Sequence, residues 1–150
     1  MPMNAYQKDD AFYFPVRVFY EDTDAGGVVY HSNYLKYGER ARTEWLRQLG
    51  IGRERLQQEF DLMFVVRRAT INWRRPAKLD DLLMVETRMG GTGKVRVTMH
   101  HTIKRDDTVL CGIEIEVVAV NSSFMPAQLP EALLKLLPPA THSIDENPRS

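Results

Sequence analysis

Tyr34-Leu-Lys-Tyr-Gly-Glu-Arg-Ala-Arg-Thr-Glu-Trp-Leu-Arg-Gln-Leu-Gly50 decides the architecture. Tyr34, Gly38, Ala41, Trp45 and Leu49 step by four, three, four and four, which places them on one face of a helix. Leu35 and Leu46 widen that stripe, and Lys36, Arg40, Thr43 and Arg47 fall on the far side. Gly38 and Ala41 lie in its middle, so another element can approach closely there. Gly50, followed by Ile51, has the chemistry of a helix stop. A helix with one long apolar stripe needs a partner, and the flanking sequence supplies it.

Upstream, Phe14-Pro-Val-Arg-Val-Phe-Tyr20 alternates with Phe14, Val16 and Val18 on one side, a strand pattern. Glu21 to Gly27 is a turn with two Asp and a Gly-Gly pair. Downstream, Arg53 to Glu59 reads as a short helix. Four extended runs follow: Met63 to Pro76, Leu82 to Met89, Lys94 to Lys104 and Val109 to Val120. In the third, Val95, Val97, Met99, His101 and Ile103 share a face. In the fourth, Val109, Cys111, Ile113, Ile115, Val117 and Ala119 do. The turns between them predict a four-strand antiparallel meander. Pro130 to Leu136 reads as a closing helix. The expectation is an α+β fold, one curved antiparallel sheet wrapped around one long helix. A dinucleotide-binding fold is excluded, since the elements do not alternate and G-x-G-x-x-G is missing.

The chain has 150 residues, 43% hydrophobic and 27% charged, which fits one globular domain. Residues 1–11 are expected as a loose leader, 12–137 as the folded domain and 138–150 as a mobile tail. Twenty basic residues balance twenty acidic ones, so bulk attraction to nucleic acid is not the activity. No apolar run approaches the roughly 18 residues of a membrane span, and none resembles a secretory signal. Cys111 is the single cysteine, so a cytoplasmic location is expected.

The stretch that carries chemistry is Tyr20-Glu-Asp-Thr-Asp-Ala-Gly-Gly-Val-Val-Tyr-His-Ser-Asn-Tyr34, at a strand-to-helix junction. Three acids in four positions are costly there unless paired or solvated. Gly26 and Gly27 let a ligand come close to the backbone. Amides at a helix N-terminus point outward, unbonded and partly positive. A carboxylate facing polarising N–H groups suits acyl chemistry, which needs a base or nucleophile and donors for an oxyanion. Composition alone leaves Asp22 and Asp24 equal candidates.

Several other groups read as ordinary structure. Divalent-metal binding by Asp22 and Asp24 lacks the further oxygen ligands it would need. His100 and His101 are adjacent in a strand and point to opposite faces. His101 and Cys111 are expected in the core. Lys36–Glu39, Glu39–Arg42, Arg40–Glu44 and Glu44–Arg47 have ion-pair spacing on the helix. Arg67, Arg68, Arg74, Arg75 and Arg96 are expected on solvated faces. Leu110, Val118 and Val120, beside Ile113 and Val117, put apolar side chains on both faces of the last strand and suggest a subunit interface.

The block Arg17-Val-Phe-Tyr-Glu-Asp-Thr-Asp-Ala-Gly-Gly-Val-Val-Tyr-His31, with Asn33-Tyr34, Glu39-Arg-Ala-Arg-Thr-Glu44 and Pro76-Ala-Lys-Leu-Asp-Asp81, resembles the hotdog-fold acyl-CoA thioesterases of the 4-hydroxybenzoyl-CoA thioesterase superfamily. In particular it resembles the YbgC type, associated with the Tol-Pal system of Gram-negative bacteria. The resemblance runs from about Phe14 to about Pro130. It implies hydrolysis of acyl-CoA to free acid and CoA, with no cofactor beyond the CoA of the substrate. It implies Asp24 as the catalytic carboxylate and the His31 backbone N–H as donor to the thioester carbonyl. It places Gly26, Gly27, Val28, Tyr30, Asn33, Tyr34 and Lys94 around the substrate, with Arg75 a weaker candidate for CoA phosphate. It also implies a homo-oligomer, a dimer or a dimer of dimers (homotetramer), with the site between protomers and acyl carrier protein as a further possible partner. Two other readings stand beside it. One is a non-catalytic acyl or acyl-carrier-protein binding module, against which the intact Asp24 argues. The other is a dehydratase of the same fold, whose His-centred motif is not found.

Overall fold

In the computed structural model, residues 4–141 are described. The elements are β1 (Tyr6–Lys8), β2 (Ala11–Arg17), a 3-10 turn (Tyr20–Asp22), α1 (Asn33–Gln48), α2 (Arg53–Phe60), β3 (Met63–Trp73), β4 (Leu82–Thr92), β5 (Arg96–Arg105), β6 (Thr108–Val120) and α3 (Glu131–Leu134). The six strands make one sheet in the order β1-β2-β4-β5-β6-β3, with every pairing antiparallel. It wraps around α1, as expected of a hotdog fold.

The apolar periodicities explain why this core closes. On β4, Leu83, Val85, Thr87 and Met89 turn inward; on β5, Val97, Met99, His101 and Ile103 do so. Cys111, Ile113, Ile115, Val117 and Ala119 of β6 continue the same layer. Tyr34, Tyr37, Ala41 and Trp45 of α1 are buried against them. Trp45 stacks on Phe12 with ring centroids 6.1 Å apart, and its Nε1–H donates to Gln7 Oε1 at 3.1 Å. The helix ends as anticipated, with the Ile51 N–H on the Leu46 carbonyl at 2.9 Å.

Three expectations are corrected, and a fourth, the tail, falls mostly outside the described residues. Residues 1–11 are not all loose, because Tyr6–Lys8 pairs with Ala11–Tyr13 and Ala11 is fully buried. Residues 142–150 of the expected mobile tail lie outside the described residues, while the Thr141 N–H reaches the Met89 carbonyl at 2.9 Å. The last four strands are not a simple meander. Only β4, β5 and β6 run consecutively; β3 lies at the far edge beside β6, and β2 takes the place beside β4. The apolar residues Leu110, Val118 and Val120 are already covered within one chain. The exposed apolar area lies elsewhere, at Phe19, Tyr20, Tyr30, Val66, Trp73, Phe124 and Met125.

Arg67, Arg68 and Arg96 are exposed, as expected, and several charged residues also find partners. Of the foreseen helix pairs Glu44–Arg47 closes to 2.8 Å, and the Glu39 charge acts on Arg42. Arg67, Arg68 and Arg96 converge on the buried Glu116 at 3.7, 3.4 and 3.3 Å. Arg42 turns inward and donates to His101 Nε2 at 3.1 Å. Because a guanidinium only donates, Nε2 accepts, and the His101 proton sits on Nδ1, facing Thr87 Oγ1 at 2.8 Å. Gly38 makes this possible, since a Cβ there would lie 3.0 Å from the imidazole.

Burial first, then the neighbouring Arg42 charge, holds the His101 pKa well below its usual value. The unfolded chain therefore takes up a proton near pH 6.5 that the folded one refuses. Stability should fall as the pH drops from 7 toward 5, with a slope approaching about 1.4 kcal/mol per pH unit from this group. Thermal melts of wild type and His101→Gln across that range test this; the variant should lose this component of the slope.

Candidate active site

The loop between β2 and α1 is built on backbone clips. Asp24 N–H bonds the Val28 carbonyl at 2.9 Å, and Gly27 N–H bonds the Asp24 carbonyl at 3.0 Å. Gly27 sits at φ +80°, which closes this tight turn and favours glycine. Val29 N–H then bonds the Ala77 carbonyl, and Tyr30 N–H the Asp22 carbonyl, both at 2.9 Å. Val28 bridges Lys78. The 74–81 connection therefore forms the second wall of the loop, itself anchored by Arg74 and Arg75 N–H groups on the Leu110 carbonyl.

The two aspartates part company here. Asp22 is buried; its Oδ2 accepts the Phe19 N–H at 2.8 Å and its Oδ1 accepts Asn33 Nδ2–H at 2.9 Å. That carboxylate ties the 3-10 turn to the first residue of α1. Asp24 is exposed, and among the described residues only its Oδ1 is engaged, by the Gly26 N–H at 2.8 Å. The chain thus holds one carboxylate for structure and presents the other to solvent.

His31 immediately precedes the helix cap Ser32, whose side chain makes no capping bond. The His31 N–H donates to no acceptor among the described residues, which leaves a polarised donor at the start of α1. Its carbonyl accepts Trp73 Nε1–H at 3.1 Å. Its ring lies 4.4 Å from Tyr30 and edge-on to Trp73 at 6.0 Å, between centroids.

Gly26, Gly27, Val28 and Tyr30 thus share the loop with Asp24. Asn33 and Tyr34, expected as substrate contacts, are buried. Asn33 serves Asp22, and the Tyr34 hydroxyl accepts the Ala77 N–H at 3.1 Å. Burial chiefly raises the Tyr34 pKa.

Lys94 is not brought to the loop within one chain. It follows the C-terminal end of β4, whereas the loop adjoins the Leu82 end, about 30 Å away along an eleven-residue strand. Trp73 and Ala77 were missed as parts of the site. The signal for Ala77 was present in the Pro76–Asp81 segment; nothing local marked Trp73.

The described residues contain no cluster of His, Cys, Asp or Glu able to hold a metal ion, and no helix long and apolar enough to cross a membrane. What remains is an exposed carboxylate and a helix-start N–H, that of His31, on one loop of a hotdog scaffold, a setting that suits an acyl-transfer or hydrolytic enzyme. The chain belongs to the thioesterase superfamily, whose family model matches residues 26–112. It is a thioesterase, a thioester hydrolase. It is 44% identical over 124 residues to "Acyl-CoA thioesterase YbgC" of Haemophilus influenzae, covering 82% of this chain and 91% of the relative. It is 42% identical over 125 residues to "Acyl-CoA thioester hydrolase YbgC" of Escherichia coli, covering 82% and 92%. A crystal structure of a probable thioesterase from Bartonella henselae superimposes with a TM-score of 0.74 at 37% identity, covering 79% of this chain and 98% of that one.

Proposed function

We propose that this thioesterase hydrolyses acyl-CoA to free acid and CoA, with Asp24 as the reacting carboxylate and the His31 N–H as oxyanion donor. The observation that carries the reading is the division of labour between the aspartates. Asp22 engages both oxygens, with the Phe19 N–H and Asn33 Nδ2–H, while among the described residues Asp24 has only Oδ1 engaged, by the Gly26 N–H, on the loop that leads into α1. Two routes fit this geometry. Asp24 can attack the thioester carbonyl, expelling the CoA thiolate and leaving an acyl anhydride that water opens. It can instead take a proton from water as that water attacks and the thiolate leaves. In both, negative charge on the carbonyl oxygen develops toward the His31 N–H. CoA is part of the substrate, and the reaction needs no separate cofactor.

Kinship with YbgC proteins supports acyl-CoA as the substrate. Release of free thiol from a panel of short, long and aromatic acyl-CoAs tests it; no release from any member would overturn the reading.

The protein acts as a homo-oligomer, a dimer or dimer of dimers, in the cytoplasm. Support comes from the exposed apolar side chains beside the loop, Tyr30 and Trp73, each about half exposed at 46% and 50%. Light scattering at micromolar concentration should give a multiple of the chain mass, and a monomer mass would contradict it. A role for Lys94 at a CoA phosphate then requires the second protomer, because its own loop is at the other end of the sheet. Lys94→Ala should raise KM several-fold with kcat little changed, and an unchanged KM removes it from the site. Acyl carrier protein as an alternative carrier, and service alongside the Tol-Pal system, belong to the same proposal through its YbgC resemblance.

A further inference from the structure

Three consecutive peptide units set the direction of the His31 N–H. In the first, the Tyr30 N–H donates to the Asp22 carbonyl at 2.9 Å. In the second, the Tyr30 carbonyl accepts the Asn33 N–H, also at 2.9 Å. A trans peptide carries its N–H opposite its C=O, so this bond turns the His31 N–H away from Asn33. A carbonyl that accepts also polarises the N–H of its own unit, which strengthens the donor. In the third unit, the His31 carbonyl accepts Trp73 Nε1–H at 3.1 Å. This last clamp is the one made by a side chain, and it reaches the loop from 42 positions away.

Trp73 is itself firmly placed. It ends β3 opposite Cys111, and the Arg74 and Arg75 N–H groups that follow both bond the Leu110 carbonyl, at 2.8 and 3.1 Å. The strand end is pinned, so the indole gives the loop a fixed point. An indole has one polar group, a donor, and no acceptor. The His31 carbonyl precedes the cap Ser32 and lies outside the hydrogen-bond ladder of α1. The Ser32 side chain makes no capping bond, so the joint between loop and helix is not held locally. The Trp73 ring also meets the His31 ring edge-on, at 82° and 6.0 Å between centroids. One side chain thus holds both the ring and the backbone of His31.

We infer that Trp73 is a positioning residue for the hydrolysis: its indole N–H orients the peptide units around His31 and so aims the oxyanion donor. This rests on the assignment of the His31 N–H above and adds the residue that governs its geometry. The indole acts through the His31 backbone, not on the thioester. An oxyanion donor works within about 2.7–3.1 Å of the developing charge. A misplacement of about 1 Å near a reacting centre costs on the order of 10²-fold. Loosening one clamp of three, with the other two kept, gives part of that loss.

The test measures kcat and KM on the best acyl-CoA substrate for wild type, Trp73→Phe, His31→Pro and the double variant. Trp73→Phe keeps an aromatic ring and removes the N–H. It should lower kcat about tenfold and leave KM within about twofold, with an unchanged melting temperature. Site-specific replacement of Trp73 by benzothienylalanine, a bicyclic ring of the same shape without the N–H, should give the same loss and so trace it to the hydrogen bond. In the His31→Pro background no donor is left to aim, and Trp73→Phe should cost less than about twofold further, because residues that act through one group couple rather than add. Light scattering should give every variant the wild-type mass, which separates this role from a subunit contact through the half-exposed indole. Normal turnover by Trp73→Phe or by the benzothienylalanine variant, a loss confined to KM, a full further loss in the His31→Pro background, or a changed mass would overturn the inference. Near-normal turnover by His31→Pro would instead remove the donor assignment on which it rests.

Discussion

Asp24→Asn should lower kcat on the best acyl-CoA substrate by on the order of 10²–10⁴-fold, the usual worth of a positioned base. The side chain is exposed, and its bond from the Gly26 N–H to Oδ1 can be kept by an amide oxygen. The fold should therefore melt within about 0.5 kcal/mol of wild type, as surface changes commonly do. What is lost is the nucleophilic or basic oxygen. Substrate analogues should still bind. Two controls sharpen the reading. His31→Ala should be much milder, because the assigned donor is the backbone N–H that every residue but proline supplies. His31→Pro removes that donor and should approach the Asp24→Asn loss, at some risk to the helix start. Near-normal turnover by Asp24→Asn would sink the assignment. Equal losses for Asp24→Asn and His31→Ala would move the basic role to the imidazole.

For Asp22→Asn the larger effect should be on stability. Asp22 accepts from Phe19 N–H on one oxygen and from Asn33 Nδ2–H on the other. An amide has one acceptor oxygen, so in either orientation its NH2 confronts a donor in a buried site. Leaving one such donor unsatisfied costs about 1–3 kcal/mol. The nearby Tyr37 hydroxyl makes the site more sensitive still. Burial, with the Asp22 charge next in order, pushes its pKa upward, so it stays a neutral group beside the carboxylate. At this chain length each kcal/mol shifts the melting temperature by roughly 2–4 °C. The signature is a drop of several degrees, with kcat reduced far less than in Asp24→Asn. The reverse pattern, a stable but inactive Asp22→Asn, would exchange the roles of the two acids.

Much of the fold was legible because its signals are local. The stepping of Tyr34, Gly38, Ala41 and Trp45 placed α1, and Gly38 anticipated a close approach that proved to be the His101 ring. Alternation located the interiors of β5 and β6 and put His100 and His101 on opposite faces. The edge position of β3 was not legible. A hydrophobic period says which way a side chain points; it does not say which strand lies alongside, and the 74–81 connection resembled a hairpin turn while serving as a crossover. The short β1 was missed for a related reason. Tyr6–Lys8 is too brief to show a period, and it becomes a strand through pairing with β2 and through Gln7 meeting Trp45.

The same division runs through the active site. By itself the sequence pointed to the candidate locus: acids, a Gly-Gly turn and a helix start within fifteen residues make a polar loop at a helix N-terminus. It could not separate Asp22 from Asp24 by composition, since the residue type is identical. The resemblance pointed to Asp24, and tertiary structure sets the two apart in surroundings, burying Asp22 against the Phe19 N–H and Asn33 and leaving Asp24 in solvent. Tertiary structure also brought Trp73 and Ala77 to the loop from more than forty positions away and carried Lys94 to the opposite end of the sheet. The physical reason is the range of each interaction. Turn chemistry and helix-end amides act within a few residues, whereas solvation of a carboxylate and the company it keeps depend on which distant segments the sheet brings beside it.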